Sequence, residues 1–247
     1  HEIVCVLKDR PKIERGRLLV LGSAEVHITK EIFRELLFKH GIDADVPDEK
    51  ITPFSLGESL GFHITETLDI NGQASITHDL MQLVPENLLE RYDMIIDAGV
   101  LFWCFNPGVA LGNILSMLRV GGDVVHITAV SGFYGRGYYN IHPKLLDDFY
   151  SANQCNLVSA TFRSRRRPET LLRRLFKRLR ATRFGRSENL FHGRSKTFGH
   201  VFLRQDGWFS YTFSPEAPAE FLYFIPNDVI GVLAYRKLRY ATSVSPV

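Results

Sequence analysis

Three aspartates stand where short apolar runs end: Asp69 in Leu68-Asp69-Ile70, Asp79 in His78-Asp79-Leu80, and Asp97 in Tyr92-Asp-Met-Ile-Ile-Asp97. A carboxylate at a strand end can accept from two vicinal hydroxyls of a ribose, which suits Asp69, or from an exocyclic amine, which suits Asp79. Each is equally a residue type that caps turns. Gly22 with Ser23 and Glu25 follows another apolar run, and Gly99 follows Asp97, so backbone could approach a ligand there. Beyond a third long run lie Arg136, Tyr138 and His142. His142 and Tyr138 could move a proton and Arg136 could hold an anion. His142 precedes Pro143 and would also serve as a helix cap, whereas His126 lies mid-strand and reads as core.

Other chemistries lack their residues. No carboxylate pair has glycosidase spacing, and there is no Gly-x-Ser-x-Gly elbow or P-loop. The nine histidines have no metal-ligand spacing, so no metal is expected. Three cysteines (Cys5, Cys104, Cys155) at wide intervals argue against a disulfide framework and favour a reducing, cytoplasmic compartment.

The elements that would position these groups alternate. Arg17–Gly22 and Tyr92–Asp97 are strand-like and apolar throughout, as strands buried on both faces of a parallel sheet are, and Gly121–Val130 is a third long strand candidate, opened by a Gly-Gly turn. Shorter strands are expected at Ile64–Ile70, Ala74–His78, Leu157–Arg163 and Val229–Tyr235. Thr29 caps a predicted helix over Lys30–His40, with Ile32, Leu36 and Leu37 inward and Gly41 as its stop. Asn106-Pro107 starts another through Leu118, with Val109, Ile114, Leu115 and Leu118 buried. Pro143 opens a third over Lys144–Asn153, with Leu145, Leu146 and Phe149 inward. The uncharged stretch Ala98–Leu118 is long enough to span a bilayer, but Asn106-Pro107-Gly108 near its middle makes it a strand end followed by a core-facing helix. The expectation is an α/β, doubly wound, mostly parallel seven-stranded sheet with a C-terminal antiparallel strand.

The 247 residues make one domain, 1–247, interrupted by an insertion over 163–226. The formal net charge of +3 hides an asymmetry. Residues 163–196 hold thirteen Lys and Arg against Glu169 and Glu188, a local +11, leaving −8 elsewhere. Leu172, Leu175, Phe176 and Leu179 share one helical face there with arginines opposite. That segment can pack on the domain, lie on an anionic membrane surface, or, less favoured for want of a recognition motif, bind nucleic acid. Trp208–Phe224 is aromatic and proline-bearing, a lid or dimer arm by composition. Oligomeric state is not legible.

The ordered text from Tyr92 to Asn153 resembles class I S-adenosylmethionine-dependent methyltransferases. The carrying residues are Tyr-Asp-Met-Ile-Ile-Asp-Ala-Gly (92–99), Phe-Asn-Pro (105–107), Met-Leu-Arg-Val-Gly-Gly (117–122) and the strand Asp-Val-Val-His-Ile (123–127). Upstream, Leu68-Asp69-Ile70 and His78-Asp79-Leu80 are similar to a subgroup with aspartates after its second and third strands. Downstream, Gly137-Tyr-Tyr-Asn-Ile-His-Pro143 resembles that subgroup's loop. The resemblance implies S-adenosylmethionine held by Gly22, Ser23, Glu25, Asp69, Asp79, Asp97 and Gly99. It implies methyl transfer to a small-molecule, saccharide or lipid-linked acceptor, with His142, Tyr138 and Arg136 as catalytic candidates. The chain departs from the pattern in three places: one glycine remains of the Gly-x-Gly-x-Gly motif, Phe102-Trp103 replaces Glu-His, and Arg136-Gly137 replaces His-Gly. These departures carry the alternative, a catalytically inactive scaffold whose cleft is filled by Phe102, Trp103 and residues 23–26. An NAD-type oxidoreductase is poorly served, since Gly-x-Gly-x-x-Gly is missing after the first strand.

Overall fold

The computed structural model describes residues 16–22, 29–42, 46, 51–132, 137–165, 198–203, 208–213 and 229–239. Strand β1 (Arg17–Leu21) shows why the apolar runs do not alternate. Leu19 and Leu21 enter one core while Leu18 and Val20 enter another, on opposite faces of the sheet. Strand β4 (Tyr92–Asp97) is buried at every position for the same reason. Each fully buried leucine of this kind contributes about 1.5–3 kcal/mol.

Five strands run parallel: β3 (Ile76–Thr77), β2 (Ile64–Asp69), β1, β4 and β5 (Leu118–Ser131). Strand β9 (Val229–Lys237) inserts antiparallel between β5 and β6 (Cys155–Arg165). These seven strands are the expected doubly wound sheet. Two more extend it, β7 (Phe198–Leu203) and β8 (Trp208–Phe213), giving the order β3-β2-β1-β4-β5-β9-β6-β8-β7. The first part of the aromatic stretch expected as a lid or arm is therefore sheet. Its residues, four of the six aromatic, pair in antiparallel register with β6 from Phe213 opposite Ala160 to Trp208 opposite Arg165. The basic helix expected within 163–196 lies outside the described residues beyond Arg165.

One sheet face carries α1 (Lys30–Lys39) and the other α3 (Pro107–Met117) and α4 (Pro143–Ala152). The caps are the expected ones: Thr29 accepts from Ile32 N, Asn106 Oδ1 from Val109 N, and His142 Nδ1 from Lys144 N. The inward stripes differ by a residue. Phe33 and Leu37 are buried in α1 while Ile32 is 55 % exposed, and Val109 and Leu145 also turn outward. Where adjacent residues are all apolar, the side on which the sheet lies selects the buried ones. A further short helix, α2 (Pro53–Ser59), has a Thr52–Ser55 capping box. Its Gly57 sits so close to β2 that a Cβ would lie 2.0 Å from Thr65 Oγ1.

Charge ties the ends together. Arg236 forks onto the buried Asp123 across β9 and β5, at 2.8 and 3.2 Å. The buried Lys237 donates to Leu115 O and Leu118 O, at 3.2 and 2.7 Å, and so caps the last turn of α3. Among the described residues no helix is long and apolar enough to cross a membrane. Cys104 and Cys155 are buried free thiols.

Candidate functional site

The strand order reverses between β1 and β4, which opens a crevice beyond their carboxyl ends. Gly22 begins that edge. Its φ of +84° suits glycine, and a Cβ there would come within 2.7 Å of Val100 Cγ2. Its N–H donates to Leu68 O at 2.8 Å, so the first turn is bound to the end of β2. Ser23 and Glu25 lie outside the described residues, as does Arg136.

Asp97 supports the opposite wall from beneath. It is fully buried, and its Oδ1 accepts from Gly99 N at 3.1 Å, Val100 N at 2.7 Å and Leu101 N at 3.3 Å. Its Oδ2 faces His126 Nδ1 at 2.8 Å, and His126 Nε2 faces the Tyr150 hydroxyl at 2.7 Å. Burial holds the Tyr150 phenol well above its ordinary range, so that hydroxyl keeps its proton. The tautomer with the proton on Nδ1 satisfies the whole chain, Tyr150 donating to Nε2 and Nδ1–H donating to Asp97. Tyr150 in turn stacks on Tyr235, with centroids 4.5 Å apart.

Between these edges lies a cavity of about 380 Å³. Its floor and sides come from the ends of β2 and β3, with Asp69, His78 and Asp79. The turn after β4 adds Val100, Trp103 and Cys104, and the loop after β5 adds Tyr138. Asp69 Oδ1 accepts from Ile70 N at 2.6 Å, and Asp79 Oδ1 from Met81 N at 2.9 Å, so each carboxylate is oriented by its own turn. Asn113 of α3 reaches across to donate to Leu80 O and Gln82 O, both at 2.7 Å, pinning the Asp79 turn to the helix. His78 Nε2 is buried and has no hydrogen-bond partner among the described residues, an unmet polar group on this wall. Burial pushes the Cys104 thiol up to about 11, which makes it a protonated wall residue rather than a nucleophile at neutral pH.

The structure thus brings Asp69, Asp79 and Tyr138 to one cavity, with Gly22 behind Val100 at its edge. Asp97 and Gly99 are not among the lining residues. Both oxygens of Asp97 are turned to interior partners, so it shapes the wall from below rather than facing the cavity. His142 is an exposed helix cap, also outside the lining, while His126 is buried, as its mid-strand position suggests. Phe102 does not fill the cleft. Its ring occupies space left by two glycines, where a Cβ on Gly99 or Gly137 would come within 2.9 or 2.3 Å of it. Sequence reasoning did not find His78, Cys104 or Asn113 as site residues. Only the neighbouring Asp79 flags His78, and nothing local links Asn113 to a turn more than thirty residues earlier. Among the described residues no group of three or more His, Cys, Asp or Glu could hold a metal ion.

No family model matches the chain, and no curated protein matches it. Among solved structures it is similar to a TehB-like SAM-dependent methyltransferase from Corynebacterium glutamicum (13 % identity, 95 % of this chain and 86 % of that one, TM-score 0.42). Another is a SAM-dependent methyltransferase from Archaeoglobus fulgidus (12 % identity, 95 % and 93 %, TM-score 0.39). A third is the YcgJ protein from Bacillus subtilis (9 % identity, 96 % and 99 %, TM-score 0.38). Likenesses this loose carry no argument about activity, and the fold assignment rests on the strand order itself.

Proposed function

We propose that this chain binds S-adenosylmethionine in the crevice beyond β1, β2 and β4 and transfers its methyl group to a small-molecule, saccharide or lipid-linked acceptor. The observation that carries the reading is the open cavity bounded by Asp69 and Asp79, at the ends of two neighbouring strands. The residues present fit the cofactor: two oriented carboxylates, an unmet His78 nitrogen and an apolar wall from Leu80, Met81, Val100 and Trp103 suit a nucleoside. Asp69 would accept from the ribose hydroxyls and Asp79 from the adenine amine. Bound there, S-adenosylmethionine supplies an electrophilic methyl on a positively charged sulfur. The protein's own share is orientation and exclusion of water. Asp97 holds the 99–101 turn, and Trp103 and Tyr138 wall the mouth through which an acceptor would approach.

The alternative, an inactive scaffold, has Phe102, Trp103 and residues 23–26 filling the cleft; against it stands the cavity beside Asp69, which Trp103 lines and Phe102 does not, while residues 23–26 lie outside the described residues. The basic segment 163–196 belongs to the same reading as a contact for an anionic membrane surface, which would bring the enzyme to a lipid-linked acceptor. Calorimetry with S-adenosylmethionine and S-adenosylhomocysteine tests the proposal. Binding of both is expected, weakened at least tenfold by Asp69→Ala; no heat from the wild-type protein, or no loss in the variant, overturns it.

A further inference from the structure

Four aromatic side chains stand exposed where the cavity opens, on two loops distant in sequence. Trp103 is 53 % exposed, Phe105 73 %, Tyr138 66 % and Tyr139 39 %. They gather around Tyr138: Trp103 and Phe105 each have centroids 6.3 Å from it at steep angles of 75° and 82°, and Tyr139 lies at 6.4 Å. The arrangement is held by backbone. Tyr138 N and Tyr139 N both donate to Phe102 O, at 2.8 and 3.3 Å, and the Tyr139 hydroxyl donates to Phe105 O at 3.0 Å. Aromatic rings dominate burial energetics, and an ordered group of them left in water marks a contact site.

Resting on the methyl-transfer reading above, we infer that this ring cluster is the acceptor subsite and takes a neutral acceptor with a planar aromatic face bearing a hydroxyl. Continuity places it: Trp103 and Tyr138 line the cavity as well as the cluster, so an acceptor lying on the rings borders the space assigned to the donor. Charge selects a neutral molecule. Among the described lining residues the charged groups are Asp69 and Asp79, which repel an anionic acceptor; Arg136, the anion-holding candidate of the sequence, lies outside the described residues, and the 2-naphthoate arm of the test weighs it. Hydrogen-bonding capacity selects a ring over a sugar. The cluster offers one indole N–H and the two tyrosine hydroxyls, of which that of Tyr139 is already given to Phe105 O. A saccharide would leave most of its hydroxyls unmatched there.

The reactivity of a phenol agrees with such a mouth. An aromatic hydroxyl ionises near pH ~10, far below the ~15.7 of water, so it asks less of a general base. In the step, the phenolic oxygen forms a bond to the methyl carbon as the carbon–sulfur bond breaks. The bonding pair goes to sulfur, which becomes a neutral thioether, and the phenolic proton leaves to solvent.

The test is calorimetry and tryptophan fluorescence with S-adenosylhomocysteine present, using 2-naphthol, 2-naphthoate and methyl glucoside as probes. Binding of 2-naphthol is expected, at least tenfold tighter than the other two. Trp103→Ala and Tyr138→Ala should weaken it at least tenfold. Phe105→Ala, whose side chain lies outside the cavity, should weaken 2-naphthol severalfold while leaving S-adenosylhomocysteine within twofold of wild type. Equal binding of 2-naphthoate or the glucoside, or full retention of 2-naphthol by all three variants, overturns the inference. If S-adenosylhomocysteine binds and 2-naphthol does not, the acceptor class is wrong while the cofactor reading stands. If S-adenosylhomocysteine does not bind, the cofactor reading itself falls.

Discussion

The carboxylate of Asp97 and the imidazole of His126 meet at 2.8 Å with no exposure of either side chain, one at the end of β4 and the other within β5. Through this pair a core contact reaches the cavity. The second oxygen of the same carboxylate organises the backbone of Gly99, Val100 and Leu101.

Replacing Asp97 with alanine takes the acceptor from three N–H groups, that of Leu101 buried and those of Gly99 and Val100 half-buried, and strands the buried histidine. The expected loss is about 3–5 kcal/mol of folding stability. Urea denaturation measures it, and a loss under 1 kcal/mol would show the turn to be held by other contacts. Asp97→Asn, which keeps an acceptor oxygen, should lose less.

Tyr150→Phe removes the hydroxyl that His126 Nε2 faces and should cost about 1–3 kcal/mol. His126→Leu leaves Asp97 Oδ2 and the Tyr150 hydroxyl without their partner and should cost more than His126→Asn, whose amide can still donate to a carboxylate. Because the residues share partners, Tyr150→Phe and His126→Leu should be clearly non-additive in a double-mutant cycle. Additivity within about 0.5 kcal/mol would mean that they do not act as one network.

Stability should fall at alkaline pH. Burial raises the Cys104 and Cys155 thiols from 9.0 to about 11 and holds the Tyr150 and Tyr235 phenols well above their ordinary range. All four become anions on ionising, so the folded chain keeps its protons longer than the unfolded one. The stabilisation is present below about pH 9 and is lost as pH rises through 11, worth up to about 2–3 kcal/mol for each thiol. Unfolding curves from pH 8 to 11 should show this decline, made shallower by Cys104→Ala with Cys155→Ala. A flat profile refutes it.

Gly137→Ala should disturb the aromatic mouth. At φ +71° an added Cβ would sit 2.3 Å from the Phe102 ring and 2.8 Å from its carbonyl oxygen, the same oxygen that receives the Tyr138 and Tyr139 N–H groups. A cost of about 1–3 kcal/mol is expected, with altered Trp103 fluorescence. An unchanged melting temperature and spectrum would count against this packing.

The segment 163–196 should bind phosphatidylserine-containing liposomes, and less so as salt rises. Neutralising Arg173, Arg174, Lys177 and Arg178 should abolish most of that binding. Equal retention by the variant, or no dependence on salt, rules out an electrostatic membrane contact.

Much of the scaffold was legible along the chain because its signals are local. A run such as Tyr92–Asp97, apolar on both faces, can only be an inner strand, and Thr29, Asn106 and His142 cap their own helices within three residues. The same locality marked Asp69 and Asp79, since a carboxylate after a strand is visible in the text. What no local signal carries is the choice among neighbours. Phe33 rather than Ile32 faces the sheet because of where the sheet lies, and Trp208–Phe213 became strand because the edge of β6 was there to pair with it.

The sequence by itself determined a parallel α/β sheet and a set of acidic and aromatic residues at its carboxyl edge. Tertiary structure alone decided their roles. It buried Asp97 against a histidine 29 positions away and sent Asn113 to a turn more than thirty residues earlier. It also gathered Trp103, Phe105, Tyr138 and Tyr139 from two loops into one mouth. Contacts of that reach depend on how the sheet orders its strands, and hydrogen bonding and burial then settle which side chains turn inward and which are left for a ligand.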